Sequence, residues 1–285
     1  MERKAFKRKA KELLQGIWGR AVALFLCLLF LTVFFSALEK VVGSLTGYGT
    51  LETLLAPLFL TGSVTVPKTD LIFTSVLFGA YILLSFLFIT PLRQGTVCWY
   101  YGRASGEVWA VSAAFHWYTG IRRWCKALLV YLLLGLRNLS WFVLLLLPAL
   151  GMYFVYGYTV MYLAAPWLSF LLLFVTFGLA LVGMVFARVV CYRYFLALYI
   201  LADDPAVHIR TIFRSSVRIM VGKKGLLFSL ELSFLPYYLL NLLVIPLLGT
   251  VPYISMTKAL YAKQFIEDYK LSVIAEQSAQ AEPMK

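Results

Sequence analysis

Two ionisable side chains sit inside otherwise apolar runs: Glu231, and Arg137 followed by Asn138. A charge in hydrocarbon is costly unless it faces water or a partner. Glu231 is therefore a candidate proton or cation site, a partner for a basic headgroup, or half of a structural ion pair with Arg188 or Arg193. It lies six residues beyond Gly225, roughly 9 Å along a helix at about 1.5 Å per residue. Arg137 stands about 12 residues into its run, near the midplane of a bilayer, where a substrate anion or the carbonyls of a helix break near Gly135 would satisfy it. Glu231, Arg137 and Asn138 make the candidate intramembrane polar site.

A second set of cations is patterned for surfaces. Arg210, Arg214 and Arg218 recur at i, i+4 and i+8, opposite Ile212, Phe213, Val217, Ile219 and Met220, with Lys223 and Lys224 adjacent. Near the start, Lys4, Lys7, Arg8 and Lys11 oppose Phe6, Ala10, Leu13 and Ile17. Such helices are suited to lie at a bilayer surface, aliphatic groups down and cations among phosphates; the other reading is an amphipathic helix packed on the protein's own core. The expected anionic-lipid contacts are Arg210, Arg214, Arg218, Lys223, Lys224, Lys4, Lys7 and Lys11. Asp203 and Asp204 precede Pro205, which predicts an N-cap and a helix starting there.

Enzyme chemistry finds little footing. His116 and His208 are isolated, no phosphate-binding Gly-x-x-x-x-Gly-Lys-Ser/Thr loop occurs, and no serine or cysteine has a nearby base. The four cysteines have no paired spacing. No catalytic, cofactor-binding or metal-binding residue is predicted, and no cofactor.

The elements that position these residues are membrane helices. The 285-residue chain is 62% hydrophobic and 14% charged, too little polar surface to cover a soluble globule. Its net charge of +13 comes from cations at the ends of apolar runs rather than from a basic face for nucleic acid. The expected fold class is all-α: a polytopic helical membrane protein with six transmembrane helices, at about 21–38, 71–92, 125–147, 167–187, 225–245 and 250–265, plus amphipathic interfacial helices. These form one integral membrane domain, 1–270, followed by a disordered tail, 271–285. The apolar region 125–187 holds two spans and a buried exterior loop, three being the poorer fit. The patch Leu54–Leu60 is too short to cross a bilayer and reads as a partly buried or re-entrant segment of an exterior loop. Trp99, Tyr100, Tyr101, Trp109 and Trp117 suit a headgroup belt. The first apolar run starts only at Ala21 with no small-x-small site after it, so it is expected to persist as a span.

Charge asymmetry orients the set. Twenty-three Lys and Arg fall in the segments before, between and after hairpins, against Lys40 and Lys68 in the two exterior loops, which places both termini in the cytosol. A threefold repeat is compatible with the same pattern: amphipathic helix, glycine (Gly16, Gly120, Gly222), basic residues, span hairpin. Pro91, Thr96 and Tyr100 are spaced as are Pro252, Thr257 and Tyr261. Gly183 and Ala187 form a small-xxx-small pair of the helix-packing type.

The stretch RYFLALYILADDP from Arg193 to Pro205, then Arg214-Ser215, Gly222-Lys223 and Leu230-Glu231-Leu232-Ser233-Phe234, resembles the bacterial integral membrane family filed as domain of unknown function 975. The Lys9-Ala10 to Trp18-Gly19 segment resembles that family's start, while Leu198 and Gly225 stand where such sequences often carry proline and tryptophan. The resemblance implies a multi-pass protein of the bacterial plasma membrane and no established activity. Two function classes remain: a non-enzymatic protein organising or interacting with lipids or partners at the cytosolic leaflet, or a small-solute or lipid permease using Glu231 and Arg137 in an intramembrane cavity. Expected partners are membrane lipids, anionic ones first, with a second copy of the chain or another membrane protein also compatible; nucleic acid is not expected.

Overall fold

The computed structural model describes residues 3–46, 68–163 and 165–281, nearly all helical or in turns, with no strand among them. The α-helices are α1 (Arg3–Leu14), α2 (Trp18–Thr46), α3 (Lys68–Ala104), α4 (Ile121–Tyr158), α5 (Pro166–Cys191), α6 (Ala197–Asp203), α7 (Ile209–Ile219), α8 (Lys224–Leu232), α9 (Leu235–Leu240) and α10 (Leu247–Ala281). Short 3₁₀ turns occupy Val111–Tyr118, Tyr192–Tyr194 and Asn241–Leu243, and a π turn follows α4 at Thr159–Leu163. The patch Leu54–Leu60 lies outside the described residues.

Among the described residues four helices are long and apolar enough to cross a membrane: α2, α3, α4 with its π turn, and α5 running on into α6. A fifth candidate is α8 with α9, bent by 43°. The sixth expected span differs. Residues 250–265 belong to α10, a 35-residue helix with Pro252 inside it that falls short of a span's apolar character. Its Ile254, Met256, Ala259, Leu260, Tyr261, Ala262, Phe265 and Ile266 are buried, whereas the spans present Phe30, Ile72, Leu139 and Phe174 outward. Protein rather than lipid covers α10, so its apolar face needs only helical periodicity and its other positions tolerate Lys258 and Lys263. The helix also continues to Ala281, where a disordered tail was expected. Likewise the expected exterior loop between 147 and 167 is helical as far as Leu163, passing through Pro148, so the region 125–187 holds two helices.

The chain divides into two compact units. The N-terminal unit comprises residues 4–128 with 243–259. Here α2 packs along α3, with Phe35 stacked on Phe88 at 5.6 Å. The 3₁₀ turn Val111–Tyr118 lies against α3 so closely that a Cβ on Gly95 would fall 1.7 Å from the Ala114 carbonyl oxygen. Only glycine permits that approach. Trp99, Tyr100, Tyr101 and Trp117 are buried in this unit instead of forming a headgroup belt, and the two indoles find partners inside: Trp99 donates to the Trp109 carbonyl (3.1 Å) and Trp117 to the Cys98 sulfur (3.2 Å).

The C-terminal unit comprises residues 129–242 with 260–281 and the first residues of the chain. In it α6 and α7 pack together, and the Tyr192–Tyr194 turn packs against α5, α7 and α8. α4 and α5 form an antiparallel hairpin whose register is read from two contacts: Gly183 beside the Leu145 carbonyl, where a Cβ would come within 2.7 Å, and the Cys191 thiol 4.0 Å from the Asn138 carbonyl. The small-residue pair Gly183 and Ala187 is thus buried in intramolecular helix packing.

Parts of the repeat pattern have local counterparts. Gly16 and Gly222 both adopt left-handed backbone (φ +78° and +74°) between an amphipathic helix and the next helix, but Gly120 does not, and the element before it is a 3₁₀ turn. Pro91 and Pro252 each lie inside a helix, and five residues on Thr96 and Thr257 each donate to the carbonyl four residues back at 2.8 Å.

Candidate functional site

The Tyr192–Tyr194 turn at the end of α5 carries two polar networks of the C-terminal unit. On its first side Arg188 forks onto Glu231, Nε to Oε2 at 3.3 Å and Nη2 to Oε1 at 3.2 Å, while the Tyr192 hydroxyl donates to Oε2 at 2.6 Å. The Glu231 side chain is 14% exposed and that of Arg188 56%. A carboxylate held by a bidentate guanidinium and a phenol has its charge and most of its lone pairs matched. Glu231 is therefore paired with protein, through Arg188 rather than Arg193.

On the turn's other side the guanidinium groups lie among rings. Arg137 sits 4.0 Å over Phe213 and 5.7 Å from Tyr194; Arg193 lies 5.6 Å from Tyr194 and 5.7 Å from Trp141. Trp141 in turn donates to the Tyr194 hydroxyl at 3.4 Å. These ring faces stabilise a cation by about 0.5–2 kcal/mol each, more as water is excluded. α4 runs unbroken past Gly135, so no freed carbonyls serve Arg137. Asn138 is level with Cys191, the last residue of α5, and α5's 26 residues span about 39 Å, more than a hydrocarbon core of ~30 Å. Arg137 belongs with Arg188 and Arg193 at the polar end of the hairpin.

Two buried polar atoms here find no partner: Arg193 Nε and Asn138 Oδ1. Beside Arg193 opens a cavity of about 250 Å³, lined also by Val217, Val221, Gly222, Lys224 and Gly225. At the opposite end of the hairpin a cavity of about 450 Å³ is lined by Tyr156, Val160, Ala165, Pro166, Ser169, Phe170 and Leu173. Neither has Glu231 or Arg137 on its wall.

The helix α7 is amphipathic as its spacing predicts, but its apolar face is covered by protein: Ile212, Phe213, Ile219 and Met220 are buried. The expectation that these aliphatic groups enter the bilayer is corrected, since helical amphipathicity is the same whether protein or lipid does the covering. Ser216, also buried, donates to the Arg193 carbonyl at 2.9 Å and ties α7 to the turn. Arg210, Arg214 and Arg218 remain exposed. Arg218 donates to the Tyr269 hydroxyl at 3.3 Å, a contact that raises its pKa above the ordinary arginine value. Lys223 pairs with Asp268 at 3.8 Å and lies 4.9 Å over Phe265. On α1, Lys4 and Lys11 are exposed and Lys7 half-buried, with Ala10 and Leu14 buried.

Asp203 and Asp204 do not cap α7. Asp203 pairs with Lys270 at 2.7 Å, and Asp204 accepts from the Ala206 N–H at 2.8 Å in a turn that delays the helix to Ile209. His208 is the cap, its Nδ1 accepting from the Arg210 N–H at 3.3 Å. Among the described residues no three His, Cys, Asp or Glu side chains cluster as a metal site would require.

The ladder Arg137–Phe213–Tyr194–Arg193–Trp141 was not anticipated from sequence. Its traces there are the i, i+4 pair Arg137 and Trp141 and the alternation Tyr192-Arg193-Tyr194, signals too common to single out alone.

Residues 1–268 match the family described as "Protein of unknown function (DUF975)", and the chain belongs to that family. No curated protein and no solved structure matches the chain.

Proposed function

We propose that this DUF975 member is a non-enzymatic multi-pass protein of the bacterial plasma membrane that holds anionic lipid headgroups at the cytosolic leaflet, with both termini on that side. The observation that carries this is α7. Its apolar face is anchored in the protein, so Arg210, Arg214 and Arg218 stand on a fixed outward face of a unit whose hairpin ends in Arg137, Arg188 and Arg193. A rigid row of guanidinium groups loses less entropy on meeting phosphates than a mobile basic tail does. Lys223 and Lys224, and on α1 Lys4, Lys7 and Lys11, extend the same chemistry. In this reading the first and third amphipathic helices are related units, supported by the matching left-handed glycines and proline-threonine pairs. A second copy of the chain or another membrane protein is a compatible partner; none is required.

The test uses the full chain in detergent with mixed anionic and zwitterionic lipid. Juxtamembrane cations contribute about 1 kcal/mol each near an anionic surface, so replacing the three α7 arginines with glutamine should lower retained anionic lipid on the order of a hundredfold in affinity. Native mass spectrometry counts the retained lipids, and raised salt should reproduce the loss. Equal retention of both lipid classes by the unaltered chain would sink the proposal.

A second reading, a small-solute or lipid permease, is favoured by one observation: Glu231 lies two residues from the break between α8 and α9, and broken spans often carry transport sites. A Glu231→Gln variant separates them, since a permease loses gradient-driven flux in liposomes while lipid retention is untouched.

A further inference from the structure

The geometry points to a phosphate-binding pocket at the start of α8, the cavity of about 250 Å³ beside Arg193 and Lys224. Four observations converge there. Two of its six lining residues are cations and none is acidic, so its wall carries uncompensated positive charge. Arg193 Nε is buried with no acceptor, and a buried donor without a partner is a rarity that an incoming acceptor would relieve. Lys223, at the N-cap of α8, offers the first-turn N–H groups no side-chain bond, which leaves donors and the positive end of the helix dipole at the same place. Gly222 and Gly225 keep that backbone bare: added Cβ atoms at either would meet nothing within 4 Å.

The remaining walls say what the phosphate is attached to. Val217 and Val221 line the same cavity, and Val221 is 71% exposed, so the pocket opens beside an apolar rim. At about 250 Å³ it falls just under the range of drug-sized sites, enough for a headgroup phosphate with its glycerol and too little for acyl chains, which would run out past Val221. Lipid phosphate suits this division better than free phosphate, which leaves the valines unused. The pocket rests on the lipid reading above for its location at a membrane surface, but it is a separate, saturable site and does not include the α7 arginines.

The experiment measures binding to the delipidated full chain in neutral detergent, by native mass spectrometry and isothermal calorimetry, with dihexanoyl phosphatidylglycerol, dihexanoyl phosphatidic acid and inorganic phosphate as probes. One equivalent of short-chain phospholipid should bind. Arg193→Gln should weaken it at least tenfold, the loss of one charge-assisted hydrogen bond. Because Arg193 also stacks on Tyr194 and Trp141, Gly225→Leu provides a second variant that fills the open space with no change of charge; it should weaken binding comparably while the melting temperature stays put. Saturable binding of the lipid probes but not of inorganic phosphate assigns the source as headgroups; binding of both, with the same dependence on Arg193, assigns the site to phosphate of either source. Unchanged binding in a folded Gly225→Leu variant overturns the pocket. If instead the α7 triple variant retains all its anionic lipid while Gly225→Leu loses one equivalent, the surface reading fails and the pocket stands.

Discussion

The indole and phenol donors of the N-terminal unit meet acceptors that the unit itself supplies, although Arg103 Nε is buried there without one. Trp99 reaches the Trp109 carbonyl, Trp117 the Cys98 sulfur, Trp124 the Leu87 carbonyl at 3.2 Å, and the Tyr118 hydroxyl the Phe88 carbonyl. In the C-terminal unit the donors are guanidinium groups on rings and a carboxylate, and their network ends with Arg193 Nε and Asn138 Oδ1 unmet. The contrast separates two uses of polar groups in an apolar protein. Indoles and phenols closed by carbonyls and a thiol specify packing; guanidinium groups left open have capacity for a ligand.

The largest effect should come from the tightest contact of the closed network. Gly95→Ala drives a Cβ into the Ala114 carbonyl and should cost about 3 kcal/mol, read as a lowered melting temperature by tryptophan fluorescence in detergent. Gly225→Ala, made into open space, should cost almost nothing. Equal behaviour of the two would mean the 3₁₀ turn gives way and the N-terminal unit is not closely packed. Next comes Glu231→Gln, which keeps the Tyr192 contact but removes the charge facing Arg188. Its cost should be about 1.5 kcal/mol, below the 3–5 kcal/mol of a fully buried pair because the Arg188 side chain is 56% exposed. Trp117→Phe retains the ring and deletes one bond to Cys98, at about 1 kcal/mol. If it destabilises more than Glu231→Gln, the neutral network is the stronger one and the contrast must be redrawn. The smallest stability effect, within about 0.5 kcal/mol, is expected for Arg214→Gln on the exposed face of α7. A larger loss would show that this arginine serves packing instead of lipid.

Much of this was legible in the residues because it depends on local pattern. Helical periodicity, the small-residue contact at Gly183 and Arg188 as one of two arginines open to Glu231 all follow from spacing within one or two elements. What escaped depends on register and on what covers a face. Arg137 seemed deep because its distance was counted from the start of an apolar run; only the pairing of Asn138 with Cys191 shows that α4 extends well past the hairpin's base. The buried faces of α7 and α10 have the same periodicity that lipid-facing or interfacial helices have, so hydropathy alone could not say whether lipid or protein covers them. The cap of α7 escaped because Asp204 is used in a turn of its own, a competition that short acidic side chains often win.

The length of the α4–α5 hairpin makes bilayer thickness a physical variable for its polar end. An arm of about 39 Å exceeds a ~30 Å hydrocarbon core by roughly 9 Å, and the surplus is absorbed by tilt or by lifting the base into the headgroups. A thicker membrane draws Arg137, Asn138 and Arg188 toward hydrocarbon; a thinner one releases them into water. At a fraction of a kcal/mol per Å of mismatch, a few ångströms shift their solvation by an amount comparable to one ring contact.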